Sequence, residues 1–172
     1  YLLRKSYSKL SNDRIENFRL SEENTNNEQY KLIQNVDYVE LRLIGIGYQS
    51  MAELIYHIEN EELLIIKKTV NTYQSESLFM REKENYLKLK HPLIPKFFCT
   101  DEKSHFIIIE FIRGLDLSNE NIHLNDNEKL TIIFEIMLIL DYINKNNLVY
   151  RDLKPNNIII DENKTAVLID FD

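Results

Sequence analysis

Two of the three glycines in this 172-residue chain, Gly45 and Gly47, flank a single isoleucine between two segments patterned as strands. A chain so poor in glycine has few positions where the backbone takes positive φ cheaply, so the placement of each glycine carries information. Upstream, Val39, Leu41 and Leu43 alternate with Glu40 and Arg42, the period of a half-buried strand. Downstream, Ala52 to Tyr56 reads as a second strand, His57 to Glu62 as a polar turn, and Leu63 to Lys68 as a third strand. A glycine turn inside an antiparallel meander argues against Rossmann and Walker phosphate loops, which run from a strand into a helix N-terminus. Gly45-Ile46-Gly47-Tyr48-Gln49-Ser50 then has two readings. It is ordinary turn chemistry, or a hairpin whose bare backbone N–H groups close over phosphates.

The rest of the chain mixes helix and strand. Residues 75–90 read as a helix with Leu78, Phe79, Tyr86 and Leu89 inward, stopped by His91-Pro92 because proline cannot continue the ladder. Strands are expected near Phe97-Phe98 and at Phe106 to Phe111. A polar stretch from Ser118 to Asn127 leads into an apolar helix from about Glu128 to Lys145, read as buried. A loop at Tyr150 to Asn157 precedes strands at Ile158 to Ile160 and Ala166 to Ile169, joined by a turn at Asp161 to Lys164. Residues 1–36 are polar and rich in Asn, Glu and Ser, a flexible lead-in with a short helix between Ser6 and Leu20.

Composition excludes several classes. A net charge of −7 argues against general nucleic-acid binding, which needs clustered Lys and Arg. The single cysteine, Cys99, excludes an internal disulfide framework, reads as a buried core residue and fits a reducing, cytoplasmic compartment. His57, His91, His105 and His123 show no i,i+4 metal pairing and read as surface or capping residues. The apolar run Leu130 to Leu140 is too short to span a bilayer and carries Glu135, so no membrane partner is expected.

Two places concentrate chemistry. Glu82 lies on the inward stripe of its helix between Leu78 and Tyr86, with no basic residue at helical spacing. A buried carboxylate needs a partner from elsewhere, and Lys67 at the end of Leu64-Ile65-Ile66-Lys67 is the candidate. The alternative is a carboxylate that snorkels at the helix edge. Glu84, flanked by Arg81 and Lys88, reads as a solvated surface pair. The second place is Tyr150-Arg151-Asp152-Leu153-Lys154-Pro155-Asn156-Asn157, followed by Asp170 after the strand Val167 to Ile169. Adjacent strands would bring Asn157 and Asp170 together as oxygen ligands for a hard cation such as Mg²⁺, leaving Asp152 to orient a nucleophile.

These residues resemble those of eukaryotic-type protein kinases of the serine/threonine class. Tyr150 to Asn157 is similar to the family's H-R-D catalytic loop, and Asp170-Phe171 to the start of its D-F-G motif. Leu64 to Lys67 resembles the V-A-I-K strand, and Glu82 the helix-C glutamate. Phe106 to Ile109 with Glu110 to Gly114 resembles the hinge between lobes. The resemblance implies an α+β, protein-kinase-like fold: an antiparallel five-stranded small lobe with helix C, then the start of a mainly helical large lobe. Its parts would be a small lobe at 37–109, a hinge at 110–117 and a partial large lobe at 118–172. The domain is expected to be incomplete, inactive alone and to expose apolar helix surface.

The same resemblance implies the roles. Lys67 would hold the ATP phosphates and pair with Glu82, Asp152 would take or orient the hydroxyl proton, and Lys154 would contact the γ-phosphate. Asn157 and Asp170 would ligate Mg²⁺. Ile44, Gly45, Gly47, Ser50, Ala52, Ile65 and Ile159 would line the nucleotide, backbone groups of Glu110 and Ile112 would meet the adenine edge, and Asp116 would contact the ribose. The implied partners are ATP, Mg²⁺ and a protein bearing Ser or Thr. Ser50 in place of a third glycine, Ile65 in place of alanine and Asp172 in place of glycine after Asp170-Phe171 motivate an alternative, a nucleotide-binding pseudokinase scaffold. Lys154 and Asn157 follow the protein-kinase pattern rather than that of small-molecule kinases of related fold.

Overall fold

The computed structural model describes residues 18–19, 35–36, 38–47, 50–70 and 75–171. The chain divides into two compact units, Tyr1–Val70 with Phe98–Ile108, and Asn71–Phe97 with Ile109–Asp172. The expected helix between Ser6 and Leu20 and the Asp172 position lie outside the described residues, apart from the two-residue strand β1, Phe18–Arg19. That strand pairs antiparallel with β2, Asn35–Val36.

A five-stranded sheet contains β3 (Tyr38–Ile46), β4 (Ser50–His57), β5 (Glu62–Thr69), β6 (Phe97–Asp101) and β7 (Phe106–Glu110), in the spatial order β3-β4-β5-β7-β6. Alternation sorts its side chains. Ile55, Leu64 and Ile66 pack with Tyr38, Cys99, Phe106 and Ile108 into the core of the first unit. Cys99 is buried as expected, and burial beside Asp101 pushes its thiol up to about 12.

Two local features depart from expectation. The β3–β4 register slips between Glu40 and Arg42 and again between Leu43 and Gly45, so Leu41 and Ile44 have no cross-strand partner. The slip at Leu41 resets the two-residue period, so Val39 pairs with Tyr56 while Leu43 pairs with Glu53 on the opposite face, where Leu43 is exposed. His57 is not a surface residue. It shares a strand face with Ile55 and is only 1 % exposed, with Nδ1 4.0 Å from Glu62. His91 does cap, accepting the Leu93 amide at 3.2 Å.

The second unit begins with α1, Ser75–Lys88, whose buried stripe is Phe79, Glu82 and Tyr86. Glu84 and Lys88 meet at 3.8 Å on its exposed face. The longer α2, Asp126–Lys145, starts two residues earlier than the apolar pattern suggests because Asn125 and Glu128 form a reciprocal capping box. Only one stripe of α2, Ile132, Ile139 and Ile143, is buried; Leu130, Ile133, Phe134, Met137 and Leu138 are exposed, so the helix is not buried all round. A three-stranded sheet, in the order β10-β9-β8, comprises β8 (Gly114–Asp116), β9 (Ile158–Asp161) and β10 (Ala166–Leu168). Glu135 of α2 accepts the Ala166 amide at 2.8 Å, fastening the helix to β10.

Strand β8 was not apparent as a strand in the sequence, where Gly114 closes a hinge. Gly114 pairs with Asp161. A Cβ there would overlap the Ile160 carbonyl oxygen and lie 2.8 Å from Ile159 Cγ2, so only glycine fits. Gly45 and Gly47 are different, since neither takes positive φ and a Cβ on Gly45 would meet nothing within 4 Å. Left-handed backbone falls instead on Glu61, His105, Asn147, Lys164 and Asp170. The first four lie in turns or just past α2. Asp170, at φ 69°, sits where chemistry was expected.

Candidate active site

The loop after α2 is built from the backbone outward. Pro155 opens a 3₁₀ turn, Pro155–Asn157, in which the Asn157 amide bonds the Lys154 carbonyl at 3.0 Å. The chain then enters β9, which pairs antiparallel with β10 and puts Leu168 opposite Ile158. One step further, the Ile169 amide donates to the Asn157 carbonyl at 3.0 Å. This register, rather than any property of the two residues, carries Asp170 to the neighbourhood of Asn157.

Asn157 is buried, at 5 % exposure, and its side chain is committed. Nδ2 donates to the Asp152 carbonyl oxygen at 3.0 Å and to Asp152 Oδ2 at 3.1 Å. Lys154 Nζ approaches the same Oδ2 at 2.5 Å. The bond from Lys154, aided by that from Asn157, holds the Asp152 carboxyl below the usual carboxylate range although it faces solvent. Asp152 is therefore an oriented, ionised acceptor at neutral pH. With its amide nitrogen used, Asn157 has Oδ1 to offer, on the residue whose backbone carbonyl holds Ile169, the neighbour of Asp170. An amide oxygen and a carboxylate are the ligand types a hard divalent cation takes, so these residues fit Mg²⁺.

Asp170 is held between two tethered neighbours. Tyr150 donates its hydroxyl to the Ile169 carbonyl at 2.6 Å, and Asn85 of α1 donates Nδ2 to the Phe171 carbonyl at 2.7 Å. The buried Phe171 ring lies edge-on to Tyr86 at 5.3 Å and to Tyr150 at 5.4 Å. Left-handed backbone costs a non-glycine residue roughly 1–2 kcal/mol, and two side-chain hydrogen bonds at about 1 kcal/mol each are of the size that offsets it.

Neighbouring positions are also ordered. Asp116 pairs with Ile159 across β8 and β9, so two nucleotide candidates share one row of the sheet. Asp116 Oδ1 accepts the Ser118 amide at 3.0 Å and the Ser118 hydroxyl, which in turn accepts from Asn156 Nδ2 at 2.9 Å. Glu110 uses its amide and Oε2 on the Lys96 backbone, at 2.9 and 3.1 Å. Ile112 is half-buried and Glu82 is 7 % exposed on α1, in this same unit.

In the first unit, the register sets Gly45 opposite Ala52 and Ala52 opposite Lys67. Directly opposed residues share a sheet face, and Ile65 joins them two residues before Lys67. Four candidates therefore line up on the face away from Leu64 and Ile66. Ile44 and Gly47 are exposed on the same hairpin, and Ser50 begins β4. Two residues had no assigned role in the sequence. These are Asn85 and Tyr150; neither has a spacing signal, because their acceptors lie 86 and 19 residues away.

Among the described residues, no group of three or more His, Cys, Asp and Glu is placed to hold a metal, and no helix is long and apolar enough to cross a membrane. The family model described as "Protein kinase domain" matches residues 38–172. The chain is similar to an Aurora kinase of Eremothecium gossypii, 30 % identical over 139 residues, covering 76 % of this chain and 38 % of that protein. It is similar to serine/threonine-protein kinase 32B of Homo sapiens, 26 % identical, covering 80 % of this chain and 36 % of the relative. A probable serine/threonine-protein kinase, PknB, of Lactococcus lactis is 29 % identical, with 73 % and 22 % covered. The chain thus spans well under half the length of these relatives.

Proposed function

The chain belongs to the protein kinase family through residues 38–172, and on that premise we propose that it carries part of an ATP- and Mg²⁺-dependent enzyme that phosphorylates Ser or Thr hydroxyls of proteins. The observation that carries the reading is the Asp152 carboxylate, fixed by Lys154 and Asn157 beside the strand end that bears Asp170.

Asp152 accepts or orients the proton of the attacking hydroxyl, and Lys154 balances charge on the transferred γ-phosphoryl group. Asn157 and Asp170 would hold Mg²⁺, which would supply positive charge against the phosphates. Lys67 binds the α- and β-phosphates. Among the described residues a Cβ on Gly45 would meet nothing within 4 Å and one on Gly47 would make only ordinary contact with Ser50, so both leave room for phosphates under the hairpin. Ile44, Ser50, Ala52, Ile65 and Ile159 line the base and sugar, the backbone of Glu110 and Ile112 meets the adenine edge, and Asp116 contacts the ribose. Phosphoryl transfer needs little covalent help, so positioning and charge account for most of the catalysis.

The chain alone is expected to bind nucleotide and transfer little phosphate. The test is labelled ATP with Mg²⁺ on the full-length protein that contains this chain. Transfer to a protein substrate that disappears in Asp152→Asn while nucleotide binding persists supports the enzyme. Tight binding with no transfer by the wild type supports the pseudokinase scaffold, the reading favoured by Ile65 on the nucleotide face. Absence of nucleotide binding sinks both.

A further inference from the structure

We infer that Asn85 is a positioning residue that holds Asp170 in its left-handed, ligand-presenting conformation by clamping the Phe171 carbonyl to α1. Three hydrogen bonds bracket Asp170. The Ile169 amide goes to the Asn157 carbonyl at 3.0 Å, the Ile169 carbonyl receives the Tyr150 hydroxyl at 2.6 Å, and the Phe171 carbonyl receives Asn85 Nδ2 at 2.7 Å. The first two act on the residue before Asp170. Among the described residues, the Asn85 bond is the hydrogen bond that acts on the backbone after it, and Asp170 at φ 69° lies between the two restraints. The Phe171 ring alone is a weaker restraint, because an aromatic side chain can pivot about its contacts while its carbonyl turns. Asn85 lies one turn from Glu82 on α1, so the bond also makes the orientation of the Asp170 carboxylate depend on the position of that helix.

The metal-binding consequence rests on the function proposed above; the clamp itself does not. Asn85→Asp keeps the size and exchanges the donor for an acceptor, Asn85→Leu removes the donor, and Asn85→Gln keeps an amide. In the ¹⁵N-labelled chain, the Ile169 amide is expected to exchange at least tenfold faster in Asn85→Asp and Asn85→Leu, with partial recovery in Asn85→Gln. Amides of α2 should keep their rates and the urea midpoint should hold. With ADP present, Mn²⁺ affinity read by electron paramagnetic resonance should fall about tenfold in the first two variants, and be lost in Asp170→Asn. Ile169 exchange within twofold of wild type in both variants overturns the clamp, and so does acceleration spread evenly through α2, β9 and β10 with a lowered urea midpoint. A wild type that binds no Mn²⁺ with ADP sinks the proposed function, and the exchange rates then decide the clamp alone.

Discussion

Asn157 donates its buried side-chain amide to the Asp152 carboxylate at 3.1 Å while its own backbone carbonyl receives the amide of Ile169 at 3.0 Å. One residue thus sets the orientation of the candidate base and the position of the strand end that carries the candidate metal ligand. Loss of the amide in Asn157→Ala would leave the Asp152 carboxylate to Lys154 alone and remove a candidate cation ligand together.

The Asp152 carboxyl should titrate below the ordinary value of about 3.9, first because of Lys154 and then Asn157. A folded-state value depressed in this way stabilises the native loop above the unfolded pKa, and the contribution is lost as pH falls through the folded one. Carbon NMR of the Asp152 carboxyl should show the low midpoint, and Lys154→Met should raise it. An unchanged midpoint in that variant would remove Lys154 as the cause.

The glycines should separate cleanly. Gly114→Ala forces a Cβ into the Ile160 carbonyl and should cost about 1–3 kcal/mol, read as a lower urea midpoint. Gly45→Ala meets nothing and should change stability by less than about 0.5 kcal/mol, while weakening nucleotide binding under the proposed function. Equal stability losses at both positions would contradict the register of β8 on β9.

Asn125→Ala removes the acceptor for the Glu128 amide at 2.9 Å and should destabilise the chain by about 1 kcal/mol. Circular dichroism during urea unfolding measures it, and Asn125→Asp, which keeps an acceptor, should recover most of the loss.

Cys99 should resist thiol reagents at pH 8 in the folded protein, because burial and Asp101 push its thiol up to about 12. Labelling with an aromatic disulfide should become fast only in denaturant. Rapid labelling of native protein would place Cys99 outside the core.

Element order was legible because amphipathic periods and turn residues are local. The Phe79-Glu82-Tyr86 stripe, the capped long helix and the paired strands Ile158–Asp161 and Ala166–Leu168 all follow from spacing. The failures came where a distant segment changes the local answer. The bulge at Leu41 puts Leu43 on the opposite face from Val39, the core-facing phase of β4 buries His57, and β8 becomes a strand only because β9 supplies its partner.

The sequence alone determined which chemical groups this protein possesses: an acid, a base and an amide in one loop, a second acid after a strand, and a lysine ending another strand. Residue type and short spacing suffice for that. Tertiary structure decided what those groups can do. Antiparallel register brings Asp170 to Asn157, and Tyr150 and Asn85 reach across 19 and 86 residues to the carbonyls on either side of Asp170. It also reversed the meaning of scarce glycine. Among the described residues the backbone turns left-handed at five that are not glycine, and at Asp170 hydrogen bonds from distant parts of the fold flank a conformation that local sterics disfavour.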